Sequence, residues 1–470
     1  MAVYQRKLAS IVSSEPSSKA VRLTALSKAK MLWVDNHATR DAPRSPTARP
    51  SSEAEEANLL AAASYSISSS DTDSVTGWAD RYGGGGIGVN GGSGRAVVLN
   101  GLSIKGVGPT PLIGKGASPN HSGGGAYLEE ALREALFSQL FRKILPHGAV
   151  PVSAIIDTGE DQTWHFRDGA SETQRRVLIV RPFPLRPAHF QRAYQYRPSL
   201  LNETRLDVRR VHHNFVSASD HFGGEGLRSR LVTCYSRWSE QLAFAHVRGL
   251  ALGATASNID IDGRILDFGA SSILPGVANF VVSPSVTLLC DRAKLMQSLN
   301  SLSVMAAAFD AGLYSAFHDE VIEAVEEAYR VGIVRHALSS IGLGHRFDSI
   351  ESSGKLFKQI YSDYMHHHRT ATRLRVDLLP SNFRVECGLG SGLKSIWSKD
   401  RPSSLEPLAR TLTRNFPDRC SKEEEGGVRQ GPVTREALRS ELHGIVAATG
   451  HEQRYEHVVS VLLGKLEAQL

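Results

Sequence analysis

The sequence predicts an α+β protein, strand-rich over roughly its first 190 residues and mainly helical after residue 200. Three observations carry this. The runs Arg95-Ala-Val-Val-Leu-Asn, Leu102-Ser-Ile-Lys-Gly, Ala149-Val-Pro-Val-Ser-Ala-Ile-Ile and Arg176-Val-Leu-Ile-Val-Arg are short, apolar and bounded by glycine or polar residues, as strands are. Apolar residues recur at three- and four-residue intervals over Ala126–Phe141, and again over about Leu231–Arg248, Asp291–Ala311, His318–Val331 and Thr434–Ala448, the period of amphipathic helices. The one clear interruption of the helical half is the strand-loop piece Asn258-Ile-Asp-Ile-Asp-Gly-Arg-Ile-Leu-Asp-Phe-Gly. No internal repeat is visible.

With 470 residues, 41% hydrophobic and 22% charged, the chain has enough apolar material for a large core. No stretch approaches the roughly 20 uncharged apolar residues of a membrane span, and the N-terminus lacks the basic-then-apolar layout of a secretory signal. A cytoplasmic protein without membrane contact is the expectation. Cys234, Cys290, Cys387 and Cys420 are too scattered for zinc or redox pairs, so reduced structural thiols are expected. The net charge of +6 comes from bases interleaved with acids. It suits nucleotide phosphates or an acidic partner and marks no specific nucleic-acid surface. His366, His367 and His368 follow the helical pattern of Ile360, Tyr361 and Tyr364 and read as helix histidines rather than metal ligands. Residues 38–75, rich in Ser, Pro, Ala and Glu, read as a mobile or loosely packed segment.

Moving a group from ATP requires a backbone cradle, a fixed cation and a metal held by hard oxygens. The glycines from Gly83 to Gly94 precede paired strands, where they form either a flexible turn or a cover that lowers backbone amides onto phosphate. Lys105 closes a strand, and Glu134 lies on the following helix. They read either as solvated side chains or as the lysine-glutamate pair that fixes a phosphate-binding cation. Glu129 and Glu130 are expected on the solvated helix face. Asn258 and Asp267 stand nine residues apart at the ends of a short hairpin, where both reach one magnesium ion. Arg181 and Arg186 flank Pro182-Phe-Pro-Leu; they either pair with surface acids or grip phosphate oxygens with their forks. This order of strands, helix, hairpin and helices is that of a two-lobed, protein-kinase-like fold. It divides the chain into a partly flexible N-terminal extension (1–75), an N-lobe (76–190) and a helical C-lobe (191–470).

These residues resemble the selenoprotein O family, pseudokinases that attach AMP to proteins. Tyr82-Gly-Gly-Gly-Gly-Ile-Gly-Val is similar to the family's Tyr-Ser-Gly-His-Gln-Phe-Gly-Val, Gly92-Ser-Gly-Arg to Gly-Asp-Gly-Arg, and Ile104-Lys-Gly-Val-Gly-Pro-Thr-Pro to Leu-Lys-Gly-Ala-Gly-x-Thr-Pro. Leu132-Arg-Glu-Ala-Leu, Leu185-Arg-Pro-Ala-His-Phe and Asp267-Phe-Gly likewise match Ile-Arg-Glu-Ser-Leu, Leu-Arg-Phe-Gly-His-Phe and Asp-Tyr-Gly, and a looser likeness runs to Phe280. The resemblance implies that Gly92, Gly94, Arg95 and Lys105 hold phosphates and that Glu134 orients Lys105. It further implies that Asn258 and Asp267 hold magnesium, or manganese in its place, and that Arg181 and Arg186 grip an inverted ATP whose α-phosphorus faces the acceptor. The implied activity is AMP transfer to a protein or peptide hydroxyl, with a small-molecule acceptor as a variant. A γ-phosphoryl-transferring kinase and an inactive nucleotide-binding regulator are the alternatives. Two departures bear on this. Ser257 stands where the family has an aspartate, and a serine cannot accept the acceptor's proton as a carboxylate does. Gly85 and Gly86 replace the family's histidine and glutamine.

Overall fold

The computed structural model describes residues 2–35, 52–67, 74–84, 91–114, 122–165, 171–193, 201–248, 250–273, 288–340, 344–362, 435–449 and 455–467. Gly85, Gly86, Gly88, Phe280, His366, His367, His368, Cys387 and Cys420 lie outside them.

The protein is mixed α+β, built on one antiparallel sheet. Its strands are β1 (Ser18–Ala25), β2 (Lys30–Val34), β3 (Tyr65–Ile67), β4 (Ser74–Asp80), β5 (Ala96–Leu99), β6 (Leu102–Lys105), β7 (Ala126–Tyr127), β8 (Ala154–His165) and β9 (Ser171–Pro182). They run in the order β2-β8-β9-β6-β5-β4-β1-β3, with β7 also on β9. Only β4–β5, β5–β6 and β8–β9 pair strands that are neighbours in sequence; the other pairings join strands from separate parts of the chain. Asn100 and Gly101 both take positive φ between β5 and β6, the conformation that fits a two-residue hairpin turn.

Helix α1 (Ala2–Ser10) precedes β1, and α2 (Ser52–Ala63) precedes β3. Part of the segment expected to be loosely packed is therefore folded: Leu59 and Leu60 of α2 pack on the sheet, and β3 pairs with β1. Composition misled there because a Ser- and Glu-rich helix needs only one apolar stripe to dock.

The sheet is buried on both faces. Val177 and Ile179 of β9 face α3 (Leu128–Ile144), while Leu178 and Val180 face the α2 side, the two-residue alternation of a strand. That two-sided burial is why the run reads as continuously apolar.

After the sheet come α4 (Leu201–Phe222), α5 (Gly224–Val247), α6 (Leu288–Phe309) and α7 (Phe317–Ser340). Leu231, Cys234, Tyr235, Trp238 and Leu242 of α5 form a buried stripe that meets Val321, Val325, Tyr329 and Ile333 of α7 at helical spacing. Gly332 lets these two helices touch, since a Cβ there would lie 2.7 Å from that of Ala243. Finally, α8 (Arg435–Thr449) and α9 (Glu456–Glu467) pack on α3 through Leu442, Val446, Val459 and Leu462. Among the described residues, no helix is long and apolar enough to cross a membrane.

Candidate functional site

Strand alternation and helix periodicity bring the site together. Lys105 pairs with Ile179, and Ser103 pairs with Arg181, across β6 and β9. Both cations therefore project on the face covered by α3. Glu130 and Glu134 are four residues apart and share one side of that helix. Lys105 Nζ lies 2.9 Å from Glu130 Oε1, 3.4 Å from Glu134 Oε1 and 3.7 Å from Asp267 Oδ1. Glu134, fully buried, also accepts from Arg181 Nη2 at 3.1 Å and from the Phe268 amide at 3.4 Å. One glutamate thus ties together the two sheet cations and the start of the Phe268–Ala270 turn.

Glu129 and Glu130 correct the expectation of a wet helix face: they are 4% and 6% exposed. Glu130 takes both forks of Arg95, at 2.7 and 3.0 Å, and Glu129 meets His443 of α8 at 3.0 Å. The face is wet on an isolated helix, but here the Gly92–Arg95 turn and α8 cover it. The spacing of Glu130 to Glu134 was the available signal for the first of these.

Burial alone would push the Lys105 ammonium toward its neutral form. The carboxylates of Asp267, Glu130 and Glu134 outweigh it and raise the pKa. Burial likewise pushes Glu130 up, but Arg95 and Lys105 hold it well below the usual carboxylate range. Asp267 is held low chiefly by Lys105. Its side chain, 46% exposed, is the open member of the set.

Gly92 and Gly94 shape the turn that delivers Arg95. Gly92 has φ +76°, and a Cβ on it would strike the Asp80 carbonyl at 2.2 Å. A Cβ on Gly94 would press on Ile113 at 3.0 Å.

The hairpin is closed by an Ile259–Ile265 bridge and by the Leu266 amide donating to the Asn258 carbonyl at 2.9 Å. Asn258 therefore sits across from Leu266, one residue before Asp267. Asp267 adopts a left-handed conformation, φ 58°, which costs a non-glycine residue about 1 to 3 kcal/mol and recurs where function fixes the backbone. Behind it, Phe268 packs on Phe137 and Phe141 of α3. One carboxylate held ionised and one amide oxygen on facing ends of a hairpin are the hard donors that magnesium or manganese accepts, with phosphate or water oxygens completing the shell. Among the described residues, no three His, Cys, Asp or Glu side chains gather into an all-protein metal cage.

Arg186 lies deeper. Its Nη1 donates to the Ser257 carbonyl at 3.0 Å, its Nη2 is 3.8 Å from Asp80, and its guanidinium stacks 4.4 Å from the centre of the Tyr82 ring. Its Nε is buried with no hydrogen-bond partner. His189 fixes the turn beneath it. The Arg186 amide donates to His189 Nδ1 at 2.9 Å, so the ring proton is on Nε2 and faces Asp80 Oδ1 at 2.9 Å. Burial, against the pull of Asp80, lowers the His189 pKa and keeps this ring neutral. The Ser257 hydroxyl bonds Thr255 Oγ1 at 2.8 Å and Asn258 Oδ1 at 3.2 Å. It thereby aims the asparagine.

Asp291, at the start of α6, is not among the residues that the sequence singles out. Its Oδ2 accepts from the Leu252 and Gly253 amides at 3.1 and 2.9 Å, which anchors the loop leading to Ser257 and Asn258. Burial raises its pKa to about 6. A lone aspartate opening a helix carries no sequence signal for a bond to residues almost forty positions earlier. A scan of protein-family models matches none, and a search of curated proteins finds no match to the chain.

Proposed function

We propose that the protein is a magnesium-dependent nucleotidyltransferase of the selenoprotein O kind, with a two-lobed, kinase-like arrangement, that moves AMP from ATP to a hydroxyl. The observation that carries this reading is the convergence of Lys105 and Arg181 on Glu134, with Asp267 3.7 Å from Lys105. A fixed cation beside an ionised, half-open carboxylate is what a metal-bound polyphosphate requires.

Lys105 and the Gly92–Arg95 turn would hold phosphate oxygens, with Glu134 keeping Lys105 in place. Asn258 and Asp267 would hold the metal, which supplies charge neutralisation on the phosphates. The acceptor oxygen attacks the α-phosphorus, the bond from that phosphorus to the bridging oxygen breaks, and pyrophosphate leaves while the acceptor proton passes to solvent. Arg181 and Arg186 would stabilise the charge that builds on the phosphates. The buried, unpartnered Nε of Arg186 supports an anion at that end of the site. Ser257, engaged with Thr255 and Asn258, offers no carboxylate to take the proton. This favours an acceptor that needs no protein base, and it also gives a binding-only role its one supporting observation.

Incubation with ATP labelled at the α or γ phosphorus, read by intact mass, tests the reading. AMP addition with α label is expected; γ label returns the kinase, and no label returns the binding module. In the same assay Arg186→Lys should lower transfer by roughly 10- to 1,000-fold. Asp267→Ala should lose most of the rise in Tm that magnesium-ATP gives the wild type.

A further inference from the structure

Among the described residues, one buried cation is left over when the charges around the site are paired. Arg133 immediately precedes Glu134 on α3, is 5% exposed, and has its Nε buried without a hydrogen-bond partner. It makes no ion pair with any described residue. The other buried arginines nearby are all engaged: Arg95 with Glu130, Arg181 with Glu134, Arg186 with the Ser257 carbonyl, Arg210 with Asp207.

Successive helix residues point about 100° apart, so Arg133 turns away from the Lys105 pair and reaches the Asp267–Gly269 turn. A Cβ on Gly269 would lie 3.7 Å from Arg133 Nη2 and 3.6 Å from Asp267 Oδ1. Glycine puts no side chain in front of the guanidinium. A guanidinium stays protonated in proteins, and a buried charge without a partner is among the costliest features a fold can hold.

We infer that Arg133 anchors an oxyanion-binding site at the Asp267–Gly269 turn, and that its ligand is a free phosphate or pyrophosphate. The planar fork takes two phosphate oxygens at once. Phosphate fits better than carboxylate because it keeps further oxygens for a second cation, and Lys105 lies across Asp267 from the turn. The site does not depend on the transfer reaction proposed above.

Thermal unfolding of the full chain in chloride buffer, with and without inorganic phosphate or pyrophosphate, tests this. The wild type should gain at least about 2 °C in Tm with either probe. Arg133→Met should lose the gain, and in chloride alone should melt no lower than wild type, because it removes an unpaired charge while keeping an apolar stem. Arg133→Lys keeps the charge but not the fork and should retain only part of the gain. A wild type without a shift, a shift that survives in both variants as a general salt effect would, or an Arg133→Met protein less stable than wild type in chloride overturns the site. No nucleotide is present, so failure of ATP binding leaves this result standing, and the reverse.

Discussion

Two groups of buried charge lie side by side and are satisfied in different ways. Around Lys105, three cations meet three carboxylates: Arg95, Lys105 and Arg181 against Glu130, Glu134 and Asp267. Beneath the Pro187–Phe190 turn, the Arg210–Asp207 pair, 2.9 Å apart, is also tied to the backbone. Arg210 donates to the His189 carbonyl at 3.0 Å and to the Gln191 carbonyl, Asp207 accepts from the Ala193 amide at 3.0 Å, and Asn214 donates to the His189 carbonyl at 2.7 Å. Side chains that hold one another can be re-paired by an incoming ligand, whereas carbonyls fixed in a turn cannot move away. This difference is consistent with ligand binding by the first group, as proposed, and structural support by the second.

The largest expected effect breaks or keeps this comparison directly. Arg210→Met leaves Asp207 with only the Ala193 amide and Arg81, 3.5 Å away, takes a donor from the His189 and Gln191 carbonyls, and should cost about 3 to 5 kcal/mol in denaturant unfolding. Lys105→Met leaves Arg95 and Arg181 on the carboxylates and should cost only about 1 to 2 kcal/mol, while losing most nucleotide binding by calorimetry. Equal costs would end the distinction.

Asp291 sharpens it through pH. Its folded pKa, about 6, lies above the roughly 3.9 of an unfolded aspartate, so folding favours the protonated form. That contribution is complete below about pH 4 and is lost as pH rises through 6. Asp291→Asn keeps an acceptor for the Leu252 and Gly253 amides and removes the titration. Relative to wild type, its unfolding free energy should improve between pH 4 and 7 by about 3 kcal/mol at most. Parallel pH profiles would mean that the carboxylate titrates normally.

Glu130→Gln should show the smallest effect, with an informative sign. It removes one anion from Arg95 and Lys105, the two cations proposed to hold phosphate, so magnesium-ATP should bind about 3- to 10-fold more tightly in calorimetry. Weaker binding would make Glu130 a support for Lys105 rather than a competitor of phosphate. Ser257→Asp, which places a carboxylate beside Asn258, should raise the proposed AMP transfer to hydroxyl acceptors if a missing base limits the wild type. Unchanged transfer would remove the base from consideration.

The α+β class, the strands around Lys105 and the long helices were legible because their signals are local. The continuous apolar run of β9 and the stripes of α5 and α7 are patterns that each segment carries by itself. The Lys105–Glu134 pair is one of two open readings until the family resemblance favours it, and the two side chains lie 3.4 Å apart; the hairpin places Asn258 and Asp267 at its two ends, and the Asn258 carbonyl accepts from the amide of Leu266, next to Asp267. The sequence could not show that Glu130 is covered, that Arg133 has no counter-charge among the described residues, or that Asp291 reaches back to Leu252 and Gly253. Burial of a charge and the identity of its partner depend on which other elements arrive from distant parts of the chain. Here α8, the Gly92–Arg95 turn and the Asp267–Gly269 turn all close on one helix, and only tertiary packing decides that.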